Sequence, residues 1–262
     1  MNFCLVLKYK REPIYQMFRY QIIIEYDGTN HSGWQSQKNA KSIQNEIETT
    51  LSKMMKKKIK IIGSGRTDAG VHSKNQSAHF DCKNLLSDKR KLILSVNHFL
   101  NKKNISIKKI IKKNINFHAR YSAKEREYEY IILNRDSPPI LDKNKVWYLR
   151  SKLDIKQMKK AAKKLIGTHN FNTFRSSNCQ AKSPIRTLKK IKITRKDEKI
   201  IFILRSKSFL KNQVRSIVGC LKYVGEKKWT IKDLEKVLKS KNRNNCAPPA
   251  PAQGLYLSRI IY

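Results

Sequence analysis

The chain carries the stretch Gly-Ser-Gly-Arg-Thr-Asp-Ala-Gly-Val-His at residues 63–72, between apolar runs at residues 59–62 and 76–80. The two runs predict strands, so the stretch connects them as a loop, here called the motif loop. Its three glycines permit positive φ angles and a close approach of the backbone to a ligand. Arg66 precedes Asp68 by two residues, and an arginine close to a carboxylate favours the ionised acid. The loop therefore predicts a carboxylate prepared to act as a nucleophile or a base.

A purely structural motif loop is the alternative. An aspartate in a tight turn often bonds its own backbone amides, and Arg66 would then be a surface charge or a phosphate clamp. The combination of Asp68 and Arg66 with three glycines, Gly63, Gly65 and Gly70, favours a functional role. One structural turn rarely needs all of these residues together.

The charge of the chain points to a polyanionic partner. Its 262 residues include 58 Lys and Arg against 19 Asp and Glu, a formal net charge of +39. Neutralising phosphates releases counterions, which drives binding to RNA or DNA without sequence preference. A compositional drift towards lysine, isoleucine and asparagine is the competing explanation. The 39% hydrophobic content is typical of a folded protein with a sizeable core.

The cysteines predict neither a zinc site nor a disulfide framework, because they are odd in number, far apart and without a CxxC pair. They are Cys4, Cys82, Cys179, Cys220 and Cys246. This pattern fits a reducing cytoplasm, and no apolar stretch approaches the roughly 18 residues that a membrane helix needs. Residues 1–18 are predicted to be an N-terminal extension, poorly ordered, with Met17 as an alternative start.

Residues 19–116 are predicted to form an N-terminal domain in the order strand, helix, strand, strand, helix, strand. Ser42 is the predicted cap of the first helix, and Leu92, Val96 and Phe99 are the predicted inward positions of the second. The order is that of a split βαβ, ferredoxin-like unit. The predicted elements are strands at 20–26, 59–62, 76–80 and 105–111 and helices at 43–55 and 88–100.

Residues 117–262 are predicted to repeat this pattern as a C-terminal domain. Asp154 and Gln157 predict a capping box before a helix that stops at Gly167. The other predicted elements are strands at 126–133, 188–194, 200–204 and 255–261 and helices at 209–224 and 230–238. The expected fold class is α+β, with two ferredoxin-like halves that share a central, mostly antiparallel sheet and a cleft between them.

Tyr128 and Arg215 are further candidates. Tyrosines at every second position, as at Tyr128 and Tyr130, are typical of the core face of a strand, although an aromatic ring can also hold an unstacked base. Arg215 lies among apolar residues of a predicted helix, so it needs a partner, and Asp68 is the predicted one. The segment around Trp34 predicts either a turn with a core tryptophan or a loop that faces RNA.

The motif loop resembles the signature loop of the bacterial tRNA pseudouridine synthases that act on positions 38, 39 and 40 of the anticodon arm. Further stretches agree in order and spacing, and the resemblance covers about residues 19–262. It implies a two-domain α+β fold with a continuous sheet, a homodimer, tRNA as partner, and no cofactor or metal. The stretches are Glu25-Tyr-Asp-Gly28, Gly33-Trp-Gln35, Phe117-His-Ala-Arg120, Tyr128-Glu-Tyr130, Phe209 with Gln213-Val-Arg215, Ile217-Val-Gly219 and Gly254-Leu-Tyr-Leu257.

The resemblance also implies roles for five residues. Asp68 would be the nucleophile, and Tyr128 the aromatic residue that contacts the target base. Arg66 would help to expel the target nucleotide from the stem. Arg215 would pair with Asp68, and Leu255 would pack under the base.

The sequence departs from the family pattern at three positions. His31 stands where an aromatic residue is usual, Asn212 where histidine is usual, and Ser216 where asparagine is usual. These departures affect the RNA contacts of a loop and the surroundings of the site, and they leave Asp68 in place.

Two other classes of function compete with an isomerase. A non-catalytic RNA-binding protein or chaperone fits the charge equally well, but a carboxylate in an RNA groove would repel phosphate. A carboxylate-based hydrolase needs a second acid or metal ligands near Asp68, and Asp81 lies beyond the next predicted strand.

Overall fold

The computed structural model describes residues 17–37 and 40–262. Most of the predicted extension, residues 1–16, lies outside this part of the chain, and so does Cys4. The first strand already begins at Phe18. The predicted division into domains at residues 19–116 and 117–262 stays a prediction.

Ten strands of the described residues form a single sheet, which five helices accompany. The strands are β1 Phe18–Tyr26, β2 Ile62–Gly63, β3 His72–Cys82, β4 Ile105–Lys113, β5 Glu125–Asn134, β6 Trp147–Leu149, β7 Gly167–Asn170, β8 Ile185–Lys196, β9 Lys199–Ser206 and β10 Leu255–Ile261. The helices are α1 Ile43–Met55, α2 Lys89–Leu100, α3 Ile155–Lys163, α4 Gln213–Gly225 and α5 Ile231–Ser240.

The strand order confirms the expected fold class. The sheet runs β4-β1-β3-β10-β5-β9-β8-β7, with β2 beside β3 and β6 beside β5. Without the short strands β6 and β7, each half has the order fourth-first-third-second of its remaining strands, β4-β1-β3-β2 and β10-β5-β9-β8, which is the ferredoxin-like arrangement. The last strand, β10, pairs parallel with β3 and antiparallel with β5, so it joins the halves.

Local sequence signals explain several helices. The Ser42 side chain accepts from the Asn45 N–H and caps α1, whose apolar face includes Ile43 and Ile47 at 0% exposure. Thr230 and Asp233 form a reciprocal capping box at the start of α5. Each half has its own hydrophobic core, one around α1, β1 and β3 and the other around α3, α4 and β5.

The predicted strand at residues 59–62 is wrong except for its last residue. Only Ile62 and Gly63 pair with β3. The backbone N–H of Ile59 donates to Ser52 Oγ at 2.8 Å, and that of Ile61 donates to Glu48 Oε1 at 3.0 Å. Side chains of α1 therefore satisfy the backbone here, in place of a neighbouring strand.

The boundaries of other elements also differ. Phe99 is 36% exposed beneath the Lys53 ammonium, so its predicted inward position is wrong, whereas Val96 is fully buried. The predicted capping box at Asp154 is half formed. The Asp154 carboxylate accepts from the Gln157 N–H, but the Asp154 N–H donates to Gly225 O instead of the Gln157 side chain. α4 begins four residues later than predicted, since Asn212 before it adopts a left-handed φ of 64°.

Three shorter elements were missed or misjudged. Gly167 does not end α3, which closes at Lys163; with φ at +109° it begins β7 instead. β6 and β7 are too short to show a pattern in the sequence.

The thiols of Cys220 and Cys246 lie 3.4 Å apart despite their separation along the chain, and neither forms a disulfide. Within the described residues, no helix is long and apolar enough to cross a membrane.

Candidate active site

The segment between β1 and α1 packs against the backbone of the motif loop and supports it. The Trp34 N–H donates to Thr67 O at 3.0 Å. Gly33 has a φ of +100°, and a Cβ there would lie 2.5 Å from the same carbonyl oxygen. A Cβ at Gly28 would lie 2.1 Å from Val71 O. Trp34 is 2% exposed, so the structure supports the core-tryptophan alternative for this segment.

Buried side chains fix the first part of the loop. The Ser64 hydroxyl donates to Gln76 Oε1 at 2.8 Å, and Gln76 Nε2 donates to Gly65 O at 2.9 Å. The hydroxyls of Tyr26 and Thr67 share a hydrogen bond of 2.8 Å. After Gly63, which still pairs with β3, these side-chain hydrogen bonds support the loop in place of strand pairing.

The three glycines of the loop differ in purpose. Gly70 has the positive φ, at +76°, that the sequence suggested. A Cβ at Gly63 would lie 2.6 Å from the Trp34 ring, so this position needs glycine for space. A Cβ at Gly65 would meet no protein atom within 4 Å. Gly65 therefore leaves open surface at the loop, where a ligand can approach the backbone.

His72 ties the end of the loop to the C-terminal half. Burial lowers the pKa of His72 and favours the neutral imidazole, although the Asp27 carboxylate, 3.0 Å from Nδ1, acts in the opposite direction. Its Nδ1 accepts from the Gly28 N–H at 3.1 Å, which leaves the proton on Nε2 to donate to Gln253 O at 3.1 Å. Val71, next to it, is 1% exposed and belongs to the core of the C-terminal half. The motif loop thus crosses the junction of the two halves.

Asp68 lies at this junction and is partly exposed. Its backbone carbonyl accepts from the Val71 N–H at 3.2 Å. Across residues 17–37 and 40–262, no side chain or backbone group forms a hydrogen bond or ion pair with its carboxylate. The carboxylate is therefore available to a ligand.

Tyr128 is the aromatic neighbour of Asp68. It is 9% exposed, and its ring meets Phe209 edge to face at 5.2 Å between centroids. Burial raises the pKa of Tyr128, the negative charge of Asp68 raises it further, and the charge of Arg126 opposes this. The phenol therefore remains protonated at neutral pH. The structure brings together the predicted nucleophile and the predicted base-contacting residue.

The predicted ion pair between Arg215 and Asp68 is not formed in the structure. Arg215 Nε donates to Ala250 O at 2.6 Å, and one Nη donates to Asn212 Oδ1 at 3.3 Å. The bond to Ala250 fastens α4 to the segment before β10, and the bond to Asn212 stays at the start of α4. Arg66 is exposed, and its side chain, like the carboxylate of Asp68, has no partner among the described residues.

Leu255 lies in the core of the C-terminal half, at 5% exposure, and pairs with Tyr130 across β5 and β10. Leu257, two residues later, pairs with Tyr128. Leu255 thus lies two residues along β10 from the residue that pairs with Tyr128. Its role under the target base stays a prediction.

The sequence did not reveal the role of Arg126. Its guanidinium is largely buried and donates to four carbonyl oxygens. The acceptors are Ser64 at 2.8 Å, Arg120 at 2.7 Å, Lys207 at 2.6 Å and Ala123 at 3.3 Å. This side chain holds the start of the motif loop against the C-terminal half. Its place two residues before Tyr128, on the same face of β5, was the one available signal.

The candidate second acid of a hydrolase, Asp81, is engaged in an ion pair. The carboxylate of Asp81 is held by Arg19 through two hydrogen bonds of 2.7 Å. Among the residues described, no three His, Cys, Asp or Glu side chains are placed to hold a metal ion together.

Comparison with known proteins places the chain in a family. The family model described as tRNA pseudouridine synthase matches residues 22–122 and 161–262. Over 246 residues the chain is 57% identical to a tRNA pseudouridine synthase A of Pelagibacter ubique (strain HTCC1062). It is 42% identical, also over 246 residues, to the protein of that name from Parvibaculum lavamentivorans (strain DS-1 / DSM 13023 / NCIMB 13966). Each alignment covers 94% of this chain and 100% of the relative. With a family match over more than half its length, the chain belongs to the tRNA pseudouridine synthases, a family of isomerases.

Proposed function

We propose that this protein isomerises uridine to pseudouridine at positions 38, 39 and 40 in the anticodon stem-loop of tRNA, with Asp68 as the nucleophile. The observation that carries the proposal is the unpaired carboxylate of Asp68 beside the buried ring of Tyr128. Both lie where the motif loop crosses between the two halves.

The reaction consumes nothing from outside. The N1–C1′ bond of uridine breaks, the uracil rotates, and a C5–C1′ bond forms; C5 loses a proton and N1 gains one. An ionised Asp68 has two routes to assist this. It can add to the base or the ribose, or it can take a proton from the ribose and release a glycal.

The target base must leave its stack before it reaches Asp68, at a cost of about a few kcal/mol. Arg66 is exposed and unpaired in the described chain, so its guanidinium is free to enter the space that the base leaves. The base then lies against Tyr128, with Leu255 beneath it. We assign to Arg215 the supply of positive charge to the site, through the Nη that forms no hydrogen bond with the described residues.

Phosphate contacts offset the cost of base extrusion. The net charge of +39 supplies an attraction for the tRNA backbone that does not depend on sequence. We infer a cytoplasmic homodimer that works without cofactor or metal, as the family resemblance implies.

A non-catalytic RNA-binding protein is the second candidate. It shares the charge, but it has no use for a carboxylate left unpaired in a binding groove, where that group repels phosphate. The rigid support of the motif loop by Gln76, Arg126 and His72 also favours catalysis, because a reacting group must be held in place.

The test is incubation of the purified protein with unmodified tRNA, followed by carbodiimide mapping of pseudouridine. The expected products appear at positions 38–40, and a tRNA with cytidine at these positions stays unmodified. Tight binding of tRNA without any pseudouridine would favour the second candidate. Pseudouridine at other positions would leave the chemistry intact and overturn the assignment to the anticodon arm.

A further inference from the structure

Tyr121 is an unusually exposed aromatic residue, with 76% of its surface open to solvent. Its ring lies 4.4 Å from the His118 ring, with 31° between the planes. The Arg120 guanidinium lies over the same ring, 5.7 Å from its centroid. These residues belong to one turn, here called the 118–121 turn. It presents an aromatic surface with a positive charge beside it.

Hydrogen bonds within the turn hold it in this shape. His118 Nδ1 accepts from the backbone N–H of both Arg120 and Tyr121, at 3.2 Å each. The Ser122 hydroxyl accepts from the His118 N–H at 3.0 Å, and the Ser122 N–H donates to His118 O at 2.9 Å. The imidazole thus stabilises the turn by accepting two backbone hydrogen bonds at an unprotonated Nδ1.

Buried contacts anchor the turn to the sheet. Ala119 has no exposed surface; its N–H donates to His79 Nδ1 at 3.1 Å, and its carbonyl accepts from the Tyr262 hydroxyl at 2.9 Å. The exposed ring of Tyr121 therefore stands on a fixed base. A ligand that stacks on it meets a surface that loses little freedom on binding.

The turn adjoins the motif loop. A single nitrogen of Arg126, Nη2, donates both to Arg120 O at 2.7 Å and to Ser64 O at 2.8 Å. Gly65 follows Ser64 and leaves open surface, and Arg66 beyond it is exposed. The shared nitrogen places the backbone of the 118–121 turn at Arg120 beside the start of the motif loop at Ser64.

We propose that the 118–121 turn is a binding site for an unpaired RNA base that flanks the target uridine, with the base stacked on Tyr121 and its phosphate near Arg120 and Arg66. The proposal rests on the proposed function, and it names a contact outside the reacting centre. Aromatic rings beside cations are the usual means of holding unstacked bases. The net charge of +39 favours RNA over a protein partner, because the positive protein attracts the phosphate backbone whatever its sequence.

The experiment measures the affinity of an anticodon-arm RNA by fluorescence anisotropy for the Tyr121→Ala, Tyr121→Phe and Leu141→Ala variants. Leu141 is a matched control because it is apolar and 98% exposed but lies in another loop. Tyr121→Ala is expected to weaken binding about tenfold, the loss typical of one stacked base. Tyr121→Phe keeps the ring and restores most of the affinity, and Leu141→Ala has no effect.

An RNA with abasic nucleotides on either side of the target identifies the ligand. If a base stacks on Tyr121, this RNA binds the wild-type protein and the Tyr121→Ala variant equally. Equal losses on intact and abasic RNA, or no loss on either, would overturn the proposal. A lower oligomeric mass of the variant in light scattering would overturn it in favour of a protein contact.

Failure of this proposal can be separated from failure of the proposed function. Pseudouridine formation with no coupling between Tyr121 and the flanking bases overturns the stacking site alone. Coupling in the binding assay without pseudouridine formation overturns the proposed reaction and leaves the stacking site intact.

Discussion

The two halves of the sheet repeat one strand order but differ where their second and third strands connect. In the C-terminal half, β8 and β9 are 12 and 8 residues long, and only Asp197 and Glu198 separate them. In the N-terminal half, β2 has two residues and the connection is the motif loop. A shortened strand has thus released a segment that can carry a reactive group, while the matching connection remains a tight hairpin.

The two connections are stabilised in different ways. The hairpin is closed by ladder hydrogen bonds between β8 and β9, and Asp197 turns the chain with a φ of 52°. Between its paired ends at Gly63 and His72 the motif loop has no ladder, and its backbone groups bond instead to Gln76, Trp34 and Arg126. A loop that serves function needs support from several distant segments, because strand pairing no longer fixes it.

Replacing the aspartate in each connection tests this difference most severely. Asp68→Asn is expected to lower kcat by about 10⁴-fold or more, as loss of a nucleophile does in other enzymes. The fold and tRNA binding should persist, because the carboxylate has no partner in the described chain. Asp197→Asn, the matched change in the hairpin, should retain full activity. Pseudouridine formation under single-turnover conditions measures both.

Two outcomes would contradict this prediction. Turnover by Asp68→Asn within about tenfold of wild type would remove Asp68 from the chemistry, since such a small loss corresponds to about 1.4 kcal/mol. An equal loss in Asp197→Asn would mean that the two connections are not functionally different.

A glycine with positive φ in each half gives the next comparison. Ala at such a backbone costs about 1–2 kcal/mol of stability by itself. In Gly167→Ala this should be the whole effect, because the nearest atom to the added Cβ is 3.5 Å away. In Gly33→Ala the Cβ would lie 2.5 Å from Thr67 O, so the motif loop must move by about 1 Å, which can lower kcat about 10²-fold.

Urea denaturation and kcat separate the two contributions in these variants. The expected result is a larger loss of stability in Gly33→Ala than in Gly167→Ala, with a loss of kcat only in Gly33→Ala. If both variants keep full activity, the contact between Gly33 and Thr67 does not position Asp68.

Local signals in the sequence predicted much of the fold, and contacts between distant segments account for what they missed. The cap at Ser42 and the box at Thr230 are encoded within four residues, so α1 and α5 begin where predicted. The backbone bonds from Ile59 and Ile61 to α1 depend on tertiary packing, and a pattern of apolar residues cannot show them. The candidate site follows the same rule.

Asp68 and Tyr128 could be found because each lies in a short, recognisable stretch. The partner of Arg215 could not, because a buried arginine in a helix has many acceptors besides carboxylates, and here Ala250 O is one of them. The four acceptors of Arg126 come from three separate segments, around residues 64, 120–123 and 207. Their meeting point exists only in the folded chain.

Arg126 provides the third comparison, with Arg205 on the neighbouring strand. Arg126→Gln leaves four carbonyl oxygens without a donor and should cost about 2–3 kcal/mol. It should also lower kcat about tenfold, because Ser64 at the start of the motif loop loses its link to the C-terminal half. Arg205 pairs with Glu127 at 2.6 Å near the surface, so Arg205→Gln should cost less than about 1 kcal/mol.

Arg126→Lys distinguishes position from charge. Lysine keeps the positive charge but cannot bond several carbonyls with one planar group, so it should not restore kcat. Restoration by lysine would show that the charge beside Asp68 and Tyr128 matters and the link between the halves does not. A KM that rises while kcat is unchanged would place Arg126 in tRNA binding.

Two tyrosines of β5 give the comparison with the smallest expected effect. The Tyr130 hydroxyl donates to Pro251 O at 2.8 Å, whereas that of Tyr128 has no hydrogen-bond partner in the described chain. Tyr130→Phe should therefore cost about 1–2 kcal/mol of stability because it leaves a carbonyl unpaired. Tyr128→Phe should leave stability unchanged and lower kcat about five- to tenfold, the worth of one hydrogen bond to the substrate. Thermal unfolding should show a loss of stability in Tyr130→Phe only, and kcat should fall in Tyr128→Phe. Unchanged kinetics for Tyr128→Phe would mean that its ring alone serves the site and that the hydroxyl contributes nothing to the reaction.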